Sequence, residues 1–347
     1  MTSMQRVLTA LRFQEADRVP YFLLLTMHGA REMGLPIRDY FARPDLIAEA
    51  QLRMRARYGH DCLLAFSYAS AEIEAFGGEV LFFEDGPPNS GLPFIQTPEQ
   101  IARLAPPRIE DAPCLVRVLE TIALLKTRSR GEVPVIAVVM SPFSLPVMQM
   151  GFEGYLRLLY DRPDLFARLM AVNEAFCVAW ANAQLKAGAT FVVYYDPVSS
   201  ATITTLEQYR AFGLPIAKRT IARIDGPVAT HFASGRCLPI LDDLAQTGTA
   251  AVGVSIHEDM AALKTACAGR MSLVGNLNGI DMRRWSAAQA ETAVKQALAQ
   301  AGPGGGFILS DNHGEIPWQV PERVLDDIAA AVRCWGRYPL AWIQGGP

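Results

Sequence analysis

The sequence predicts an α/β protein of the (β/α)8 TIM-barrel class with an N-terminal helical extension. Eight short runs rich in Val, Ile and Phe recur along the 347 residues, and segments of helical period separate them. This alternation is typical of right-handed βαβ units that share one parallel sheet. The runs are continuously apolar, as expected for strands that are covered on both faces. Eight units in this length suit a closed barrel, and a doubly wound open sheet is the alternative.

Each apolar run predicts one strand of the sheet. In chain order the predicted strands are Val19–Leu25, Cys62–Phe66, Val135–Met140, Phe191–Tyr195, Val228–Phe232, Ala251–Ile256, Leu273–Leu277 and Phe307–Ser310. A further run, Val80–Glu84, is followed by the turn-like sequence Asp85-Gly86-Pro87-Pro88. That run predicts a hairpin outside the main repeat.

Helical period and capping residues predict the segments between the strands. Pro163 and Asp164 place a proline and an acid in a first turn, and Lys186 with Gly188 marks the end of the same helix. No linker or shift in composition divides the chain, so residues 1–347 are expected to form a single barrel domain. The predicted helices are Met1–Arg12, which is the extension, and then Pro44–Tyr58, Pro163–Ala187, Leu206–Ile224, Ser286–Ala299 and Pro321–Trp335.

The composition excludes several classes of protein. Half of the residues are hydrophobic and the net charge is only −3, which excludes a disordered chain. The 32 Lys and Arg do not exceed the 35 Asp and Glu, so no nucleic-acid partner is expected. No uncharged run approaches the roughly 18 apolar residues of a membrane span. The six cysteines form no Cys-x-x-Cys pair, which favours reduced thiols in a cytoplasmic protein.

Barrels of this class carry their sites at the carboxyl ends of the strands. Polar residues follow the predicted strands, and four of the five histidines lie at these positions. We expect substrate contacts from His28, which follows the first strand, from Tyr68 and Glu72 after the second, and from Ser310 at the end of the last.

Asp196 follows a strand rich in aromatic residues and precedes a proline. A carboxyl group at the rim of an apolar barrel is suited to general acid or base catalysis, or to binding a cationic group of the substrate. The alternative is that Asp196 bonds the backbone of a turn before Ser199.

His231, Cys237 and His313, together with Glu315 or Asp311, predict a metal site. Zinc takes histidine, cysteine and carboxylate ligands, and a catalytic zinc uses three protein ligands with one position open. The alternative is that Cys237 is buried at the start of a helix and that His231 forms a local hydrogen bond.

Several short segments follow one another along nearly the whole chain. In order they are Arg18-Val19-Pro20, Glu72-Ile73-Glu74-Ala75-Phe76-Gly77, Ser141-Pro142-Phe143, Gly188-Ala189-Thr190, Asp196-Pro197, Gly275-Asn276-Leu277-Asn278 and Gly306-Phe307-Ile308-Leu309-Ser310. This ordered set resembles the uroporphyrinogen decarboxylase superfamily. It resembles more closely the cobalamin-dependent methyltransferase branch, which includes methylcobalamin:coenzyme M methyltransferases.

The resemblance implies an enzyme that moves a methyl group between a corrinoid, carried by a partner corrinoid protein, and a small acceptor such as a thiol or tetrahydrofolate. In that branch a His-x-Cys segment and a later Cys bind zinc, which activates a thiol acceptor. Here His231 has no cysteine two residues on, and His313 stands at the late cysteine position. Asp196 and Asn276 are expected to place and protonate the acceptor, with His231 as the third catalytic residue.

Two other functions stay open. The first is decarboxylation of a porphyrinogen-like carboxylated substrate, with Asp196 or Glu72 as the acid. In the decarboxylase of this superfamily an arginine-containing segment after the first strand and an Asp hold the carboxylates and pyrroles of the substrate, and Thr26–Arg31 here keeps one basic residue and lacks an arginine pair. The second is a non-catalytic protein that binds a corrinoid or tetrapyrrole on the same fold.

Overall fold

The computed structural model describes residues 1–343 and is built around a curled parallel sheet. Within those residues the sheet has seven strands in the order β1-β4-β5-β6-β7-β8-β9. Each neighbouring pair is parallel, and Val138 on β4, for example, pairs with Val193 on β5. The strands are β1 Leu63–Leu64, β4 Val135–Met140, β5 Phe191–Tyr195, β6 Val228–His231, β7 Ala251–Gly253, β8 Ser272–Leu277 and β9 Phe307–Asp311.

Helices connect these strands and cover the outside of the sheet. The long connecting helices bury one side against it, as α9 does with Phe176, Cys177 and Trp180. One π-helical turn, Tyr209–Gly213, joins α10 to α11. The α-helices are α1 Ser3–Leu11, α2 His28–Met33, α3 Ile37–Phe41, α4 Pro44–Tyr58, α5 Ala71–Ala75, α6 Pro113–Arg128, α7 Pro146–Met150, α8 Phe152–Asp161, α9 Pro163–Ala187, α10 Leu206–Gln208, α11 Leu214–Ile221, α12 Leu241–Leu244, α13 Met260–Cys267, α14 Ala287–Ala301 and α15 Glu322–Trp335.

The architecture agrees with the α/β, TIM-barrel-like class that the alternation of elements predicts. Strands β4 and β5 and helices α4 and α9 have the predicted bounds, and the other predicted helices differ by a few residues at their ends. The predicted hairpin is also present, because β2 (Val80–Leu81) pairs antiparallel with β3 (Asn89–Ser90). Helix α6, which the sequence analysis does not predict, is one of the longest helices of the fold.

The prediction of a first strand at Val19–Leu25 is wrong. This segment forms only an isolated bridge between Tyr21 and Leu309. Two of its N–H groups are taken by side chains instead of a neighbouring strand: Tyr21 donates to the Asp61 carboxylate at 3.0 Å and Leu24 to the Asp311 carboxylate at 2.9 Å. Pro20 has no N–H to donate. The segment therefore lies beside β9 in an extended path without a regular ladder.

Helix α1 begins with a capping box, in which the Thr2 side chain and the Gln5 side chain each bond the other's backbone. It buries Val7 and Ala10, and Arg6 donates to the Asp61 carboxylate at 2.6 Å. The predicted amphipathic N-terminal helix is thus present and is tied to the rest of the fold by polar contacts. Within residues 1–343 no helix combines the length and the apolarity that crossing a bilayer requires.

Candidate active site

A cavity lies inside the curled sheet and opens at the carboxyl ends of its strands. It has a volume of about 280 Å³. Its inner walls are apolar, and its polar groups gather at the end where the strands finish, which is the position of active sites in this fold class. The polar residues that line it are Thr26, Ser67, Tyr68, Asn89, Tyr195, Thr230, His231, Ser310, Asp311 and Glu315.

The cavity extends between the strands as well as at their ends. Along β5, the inward residues Phe191, Val193 and Tyr195 line the cavity and are partly exposed, whereas Val192 and Tyr194 on the other face are buried. The interior of a (β/α)8 barrel is ordinarily filled with side chains. Here the side chains on the inner face leave space along the strands that a ligand can occupy.

Two carboxyl groups at the end of β9 face this cavity. Glu315 accepts hydrogen bonds from the backbone N–H groups of Thr26 at 3.1 Å and Met27 at 2.8 Å, and from the Thr26 hydroxyl. Asp311 accepts from the N–H groups of Leu24 at 2.9 Å and Gly314 at 3.2 Å. These bonds fix both carboxyl groups at the rim of the cavity.

Burial outweighs those hydrogen bonds in setting the acidity of the two groups. Removal from water raises the pKa of Glu315 to about 8, and the neighbouring Asp311 adds to the increase. Burial also raises the pKa of Asp311, to about 6. At pH 7 Glu315 is therefore mostly protonated and Asp311 mostly ionised, so the pair holds one proton next to the cavity.

His231 is the predicted catalytic residue that faces the cavity most directly. Its ring stacks on Tyr195, with ring centres 4.8 Å apart and an interplanar angle of 4°. Gly253 lies against the ring, where a β-carbon would come within 2.3 Å of it. Nδ1 accepts a hydrogen bond from the Ala233 N–H at 2.9 Å, and burial lowers the pKa of His231 to about 4. The neutral ring therefore carries its proton on Nε2.

Two predicted substrate contacts, Tyr68 and Ser310, also line the cavity. The Tyr68 hydroxyl donates to Glu74 at 2.7 Å. The structure thus brings Tyr68, His231 and Ser310 together, as the positions after the strands predict.

Asp196 and Asn276, the other predicted catalytic residues, lie outside this cavity. Asp196 is buried and accepts hydrogen bonds from the hydroxyl groups of Ser141 at 2.5 Å and Ser144 at 2.7 Å. Asn276 donates to the Ser255 carbonyl at 3.2 Å and lines a separate cavity of about 170 Å³. In this arrangement Asp196 holds the segment that follows β4, and Asn276 holds the segment that follows β7.

His28 and Glu72, the remaining predicted substrate contacts, are also buried away from the cavity. The His28 ring lies 5.9 Å from the Trp318 ring, and burial together with Arg31 lowers the pKa of His28 to about 3. Glu72 accepts a hydrogen bond from the Met140 N–H at 3.0 Å, and burial raises its pKa to about 8.

The protonation of Glu72 gives a prediction for stability. Its folded-state pKa of about 8 lies above the ordinary glutamate value of 4.5, so between those values the folded chain holds a proton that the unfolded chain has lost. The free energy of unfolding then falls as pH rises, by up to about 1.4 kcal/mol per pH unit. We expect Glu72→Gln to reduce that loss between pH 6 and pH 7.5 by about 1 kcal/mol per pH unit, as measured by urea unfolding. An unchanged pH dependence would contradict a buried, protonated Glu72.

The predicted metal ligands His231, Cys237 and His313 do not form a three-ligand group. Cys237 is fully buried in the apolar core with Phe232 and Leu241, and burial raises the pKa of its thiol well above the ordinary value. A thiol that stays protonated is a poor zinc ligand. Among residues 1–343 no group of three or more His, Cys, Asp or Glu side chains is arranged to hold a metal ion. The positions of Cys237 and His231 match the alternative interpretation, a buried thiol at a helix start and a locally bonded imidazole.

Glu315, Asp311 and Tyr195 are cavity residues that the sequence analysis does not assign to a substrate site. The sequence indicates Glu315 and Asp311 only as alternative metal ligands, and Tyr195 only as part of a strand. The pattern that identifies Tyr195 as a cavity residue is the period-two alternation of a strand, because Phe191, Val193 and Tyr195 lie on one face of β5. That alternation turns Tyr195 inward and Asp196 away.

Curated relatives resemble this chain over nearly its whole length. A protein named uroporphyrinogen decarboxylase from Alkalilimnicola ehrlichii is 26% identical over 356 residues, which cover 96% of this chain and 94% of the relative. A protein of the same name from Cellvibrio japonicus is 28% identical over 362 residues, which cover 94% of this chain and 96% of the relative.

A solved structure supports the fold. It is described as a methyltransferase from Methanosarcina mazei and superposes with a TM-score of 0.84 at 21% sequence identity, covering 96% of this chain and 98% of the other. At this level of identity the likeness shows the α/β, TIM-barrel-like fold and does not carry an activity.

The predicted corrinoid methyltransferase activity is wrong on this comparison. The curated full-length relatives are named uroporphyrinogen decarboxylase, which favours the alternative interpretation, a carboxy-lyase. The corrinoid and the corrinoid-protein partner, which the resemblance implies together with methyl transfer, stay predictions.

The family itself is established by the extent of one match. The family model described as Uroporphyrinogen decarboxylase (URO-D) matches residues 2–335, which includes α1, the curled sheet and α15. The cavity, its two carboxyl groups and His231 all lie within the matched residues. The chain belongs to the uroporphyrinogen decarboxylase family.

Proposed function

We propose that this protein is a decarboxylase that removes a carboxyl group from a small molecule held in the cavity inside the sheet. One observation carries the proposal: Glu315 lines the cavity and has a pKa raised to about 8. A carboxyl group that is protonated at pH 7 and faces a substrate cavity is suited to act as a general acid. The names of the curated relatives support the same reaction class.

The proposed step balances without a redox partner. The bond between the substrate carbon and its carboxylate breaks, CO2 leaves, and the electron pair of that bond stays on the carbon. The proton of Glu315 replaces CO2 on that carbon, and Glu315 takes up a proton from water before the next turnover. The substrate carbon must be adjacent to an aromatic ring or a carbonyl group that can delocalise the electron pair.

The other cavity residues hold the substrate in this proposal. The neutral His231 ring presents Nε2–H as a hydrogen-bond donor, and Tyr68 and Ser310 add polar contacts at the open end. Burial keeps the pKa of Glu315 raised, and the neighbouring Asp311 adds a smaller contribution. The apolar walls exclude water, which strengthens the hydrogen bonds made to the carboxylate.

The direct test is release of CO2. The purified protein is incubated with uroporphyrinogen and with a series of aromatic and heteroaromatic acetic acids, and CO2 is measured together with the decarboxylated product. We expect release from at least one of these substrates and none from heat-denatured protein. Absence of release from every substrate would overturn the proposed function.

A further inference from the structure

The charges around the cavity limit which carboxylic acid it can accept. Among the described residues that line the cavity there is no lysine or arginine, and its ionisable groups are the two carboxyl groups, His231 and two tyrosines. Arg31, the basic residue that follows the first predicted strand, is already engaged: its guanidinium lies over the Trp318 ring at 4.3 Å and donates to the Val320 carbonyl at 3.2 Å. It does not line the cavity.

The shape of the cavity limits the substrate as well. Its lining includes the first and last inward residues of β5, Phe191 and Tyr195, and Ile136, Val138 and Met140 on the inner face of β4. A strand rises about 3.3 Å per residue, so the cavity follows these strands for roughly 13 Å. Apart from the open end and Thr230, its walls are valine, isoleucine, leucine, phenylalanine, methionine, alanine and proline side chains.

We infer that the substrate of this decarboxylase carries a single carboxylate, at the open end of the cavity, on an aromatic or carbonyl-bearing body whose apolar remainder extends between the strands. This inference rests on the proposed function and specifies its substrate class. It excludes a tetrapyrrole that carries many carboxylates as the substrate of this site.

The reason is the cost of burying charge. A carboxylate that leaves water needs a cation or several hydrogen-bond donors in exchange. At the open end one carboxylate finds neutral donors, among them the Glu315 O–H and the His231 Nε2–H, beside the polar contacts of Tyr68 and Ser310. Deeper in the cavity a second carboxylate meets only apolar walls, and at the open end it meets ionised Asp311.

A matched series of ligands tests the substrate class through binding alone. Phenylacetate has one carboxylate, 1,4-phenylenediacetate adds a second at the opposite end of the same ring, and 4-butylphenylacetate adds an apolar tail there. Measured by titration calorimetry at pH 7, we expect 1,4-phenylenediacetate to bind weaker than phenylacetate by about tenfold or more. We expect 4-butylphenylacetate to bind tighter, because each buried CH2 group strengthens binding roughly fourfold.

Two substitutions at Val193 locate the tail. Val193 lies midway along the inner face of β5, so Val193→Phe fills the cavity there, whereas Val193→Ala enlarges it. We expect Val193→Phe to abolish the advantage of 4-butylphenylacetate over phenylacetate and Val193→Ala to retain it. Melting curves of both variants show whether each is folded, and a preference for the tail that persists in folded Val193→Phe would overturn the inference.

The outcomes separate the substrate class from the reaction. Equal binding of phenylacetate and 1,4-phenylenediacetate, or release of CO2 from uroporphyrinogen, would overturn the single-carboxylate inference, and the second result would leave decarboxylation standing. Tight binding of 4-butylphenylacetate with no CO2 from any tested substrate, uroporphyrinogen included, would support the ligand class and remove the proposed reaction.

Discussion

Replacing Glu315 by Gln is expected to lower the rate of CO2 release at pH 7 by about 10²–10⁴-fold, the contribution of a positioned general acid. The amide keeps the size of the side chain and still accepts hydrogen bonds from the N–H groups of Thr26 and Met27, which bond Glu315 in the native protein. It cannot give up a proton to the carbon that loses CO2. The chemical step should therefore slow while the apparent affinity for the substrate changes little.

The same group sets the pH dependence of the native enzyme. The pKa of Glu315 is raised to about 8, so the protonated form that donates to the substrate is present below pH 8 and is lost above it. We expect turnover to fall tenfold for each pH unit above about 8 and this decline to be absent from the residual activity of Glu315→Gln.

Glu72 provides the matched control for that experiment. Its pKa is also raised to about 8 by burial, but its carboxyl group lies outside the cavity and bonds the Met140 N–H. Glu72→Gln makes the same chemical change at a site without substrate contact, so turnover at pH 7 should stay within about twofold of the native rate. Equal losses in the two variants, or native turnover in Glu315→Gln, would remove Glu315 as the acid.

The sequence predicts the general position of the site because parallel strands meet at their carboxyl ends. It does not predict which residue of each strand end faces inward, because a shift of one residue turns a side chain to the opposite face. Asp196 has the chemistry of a catalytic group, yet its carboxylate bonds Ser141 and Ser144. Tyr195, one residue earlier, lines the cavity and stacks on His231.

The acid itself depends on contacts that lie far apart in the chain. Glu315 is held by Thr26 and Met27, 289 and 288 residues away. No local pattern around Glu315 encodes those partners, so sequence reasoning could place it after a strand but not assign it a raised pKa. The same separation explains the first predicted strand: its composition is that of a strand, but Asp61 and Asp311 take N–H groups that a ladder would use.

Asp61→Asn is expected to cause the largest loss of stability of the substitutions considered, about 3 kcal/mol or more in the free energy of unfolding. The Asp61 side chain is 1% exposed and lies 2.7 Å from the Arg18 guanidinium and 2.6 Å from that of Arg6. It also accepts from the Ser3 hydroxyl at 2.9 Å and the Tyr21 N–H at 3.0 Å. An asparagine removes the charge that balances both cations and turns one acceptor into a donor. Urea unfolding at pH 7 measures the loss.

Asp17→Asn is the matched control, because Asp17 bonds the same Arg6 guanidinium at 2.6 Å but is 41% exposed. Loss of a partly exposed ion pair costs about 1 kcal/mol or less, since water screens the charge left behind. After Asp17→Asn the Arg6 guanidinium also still faces Asp61, whereas after Asp61→Asn the Arg18 side chain has lost its carboxylate partner. Asp61 joins α1 and the extended segment at Tyr21 to the start of β1. Its loss should therefore also detach that segment from its place beside β9. An equal cost for the two substitutions would mean that burial of Asp61 adds nothing to its pairing, and that the edge is held by apolar contacts alone.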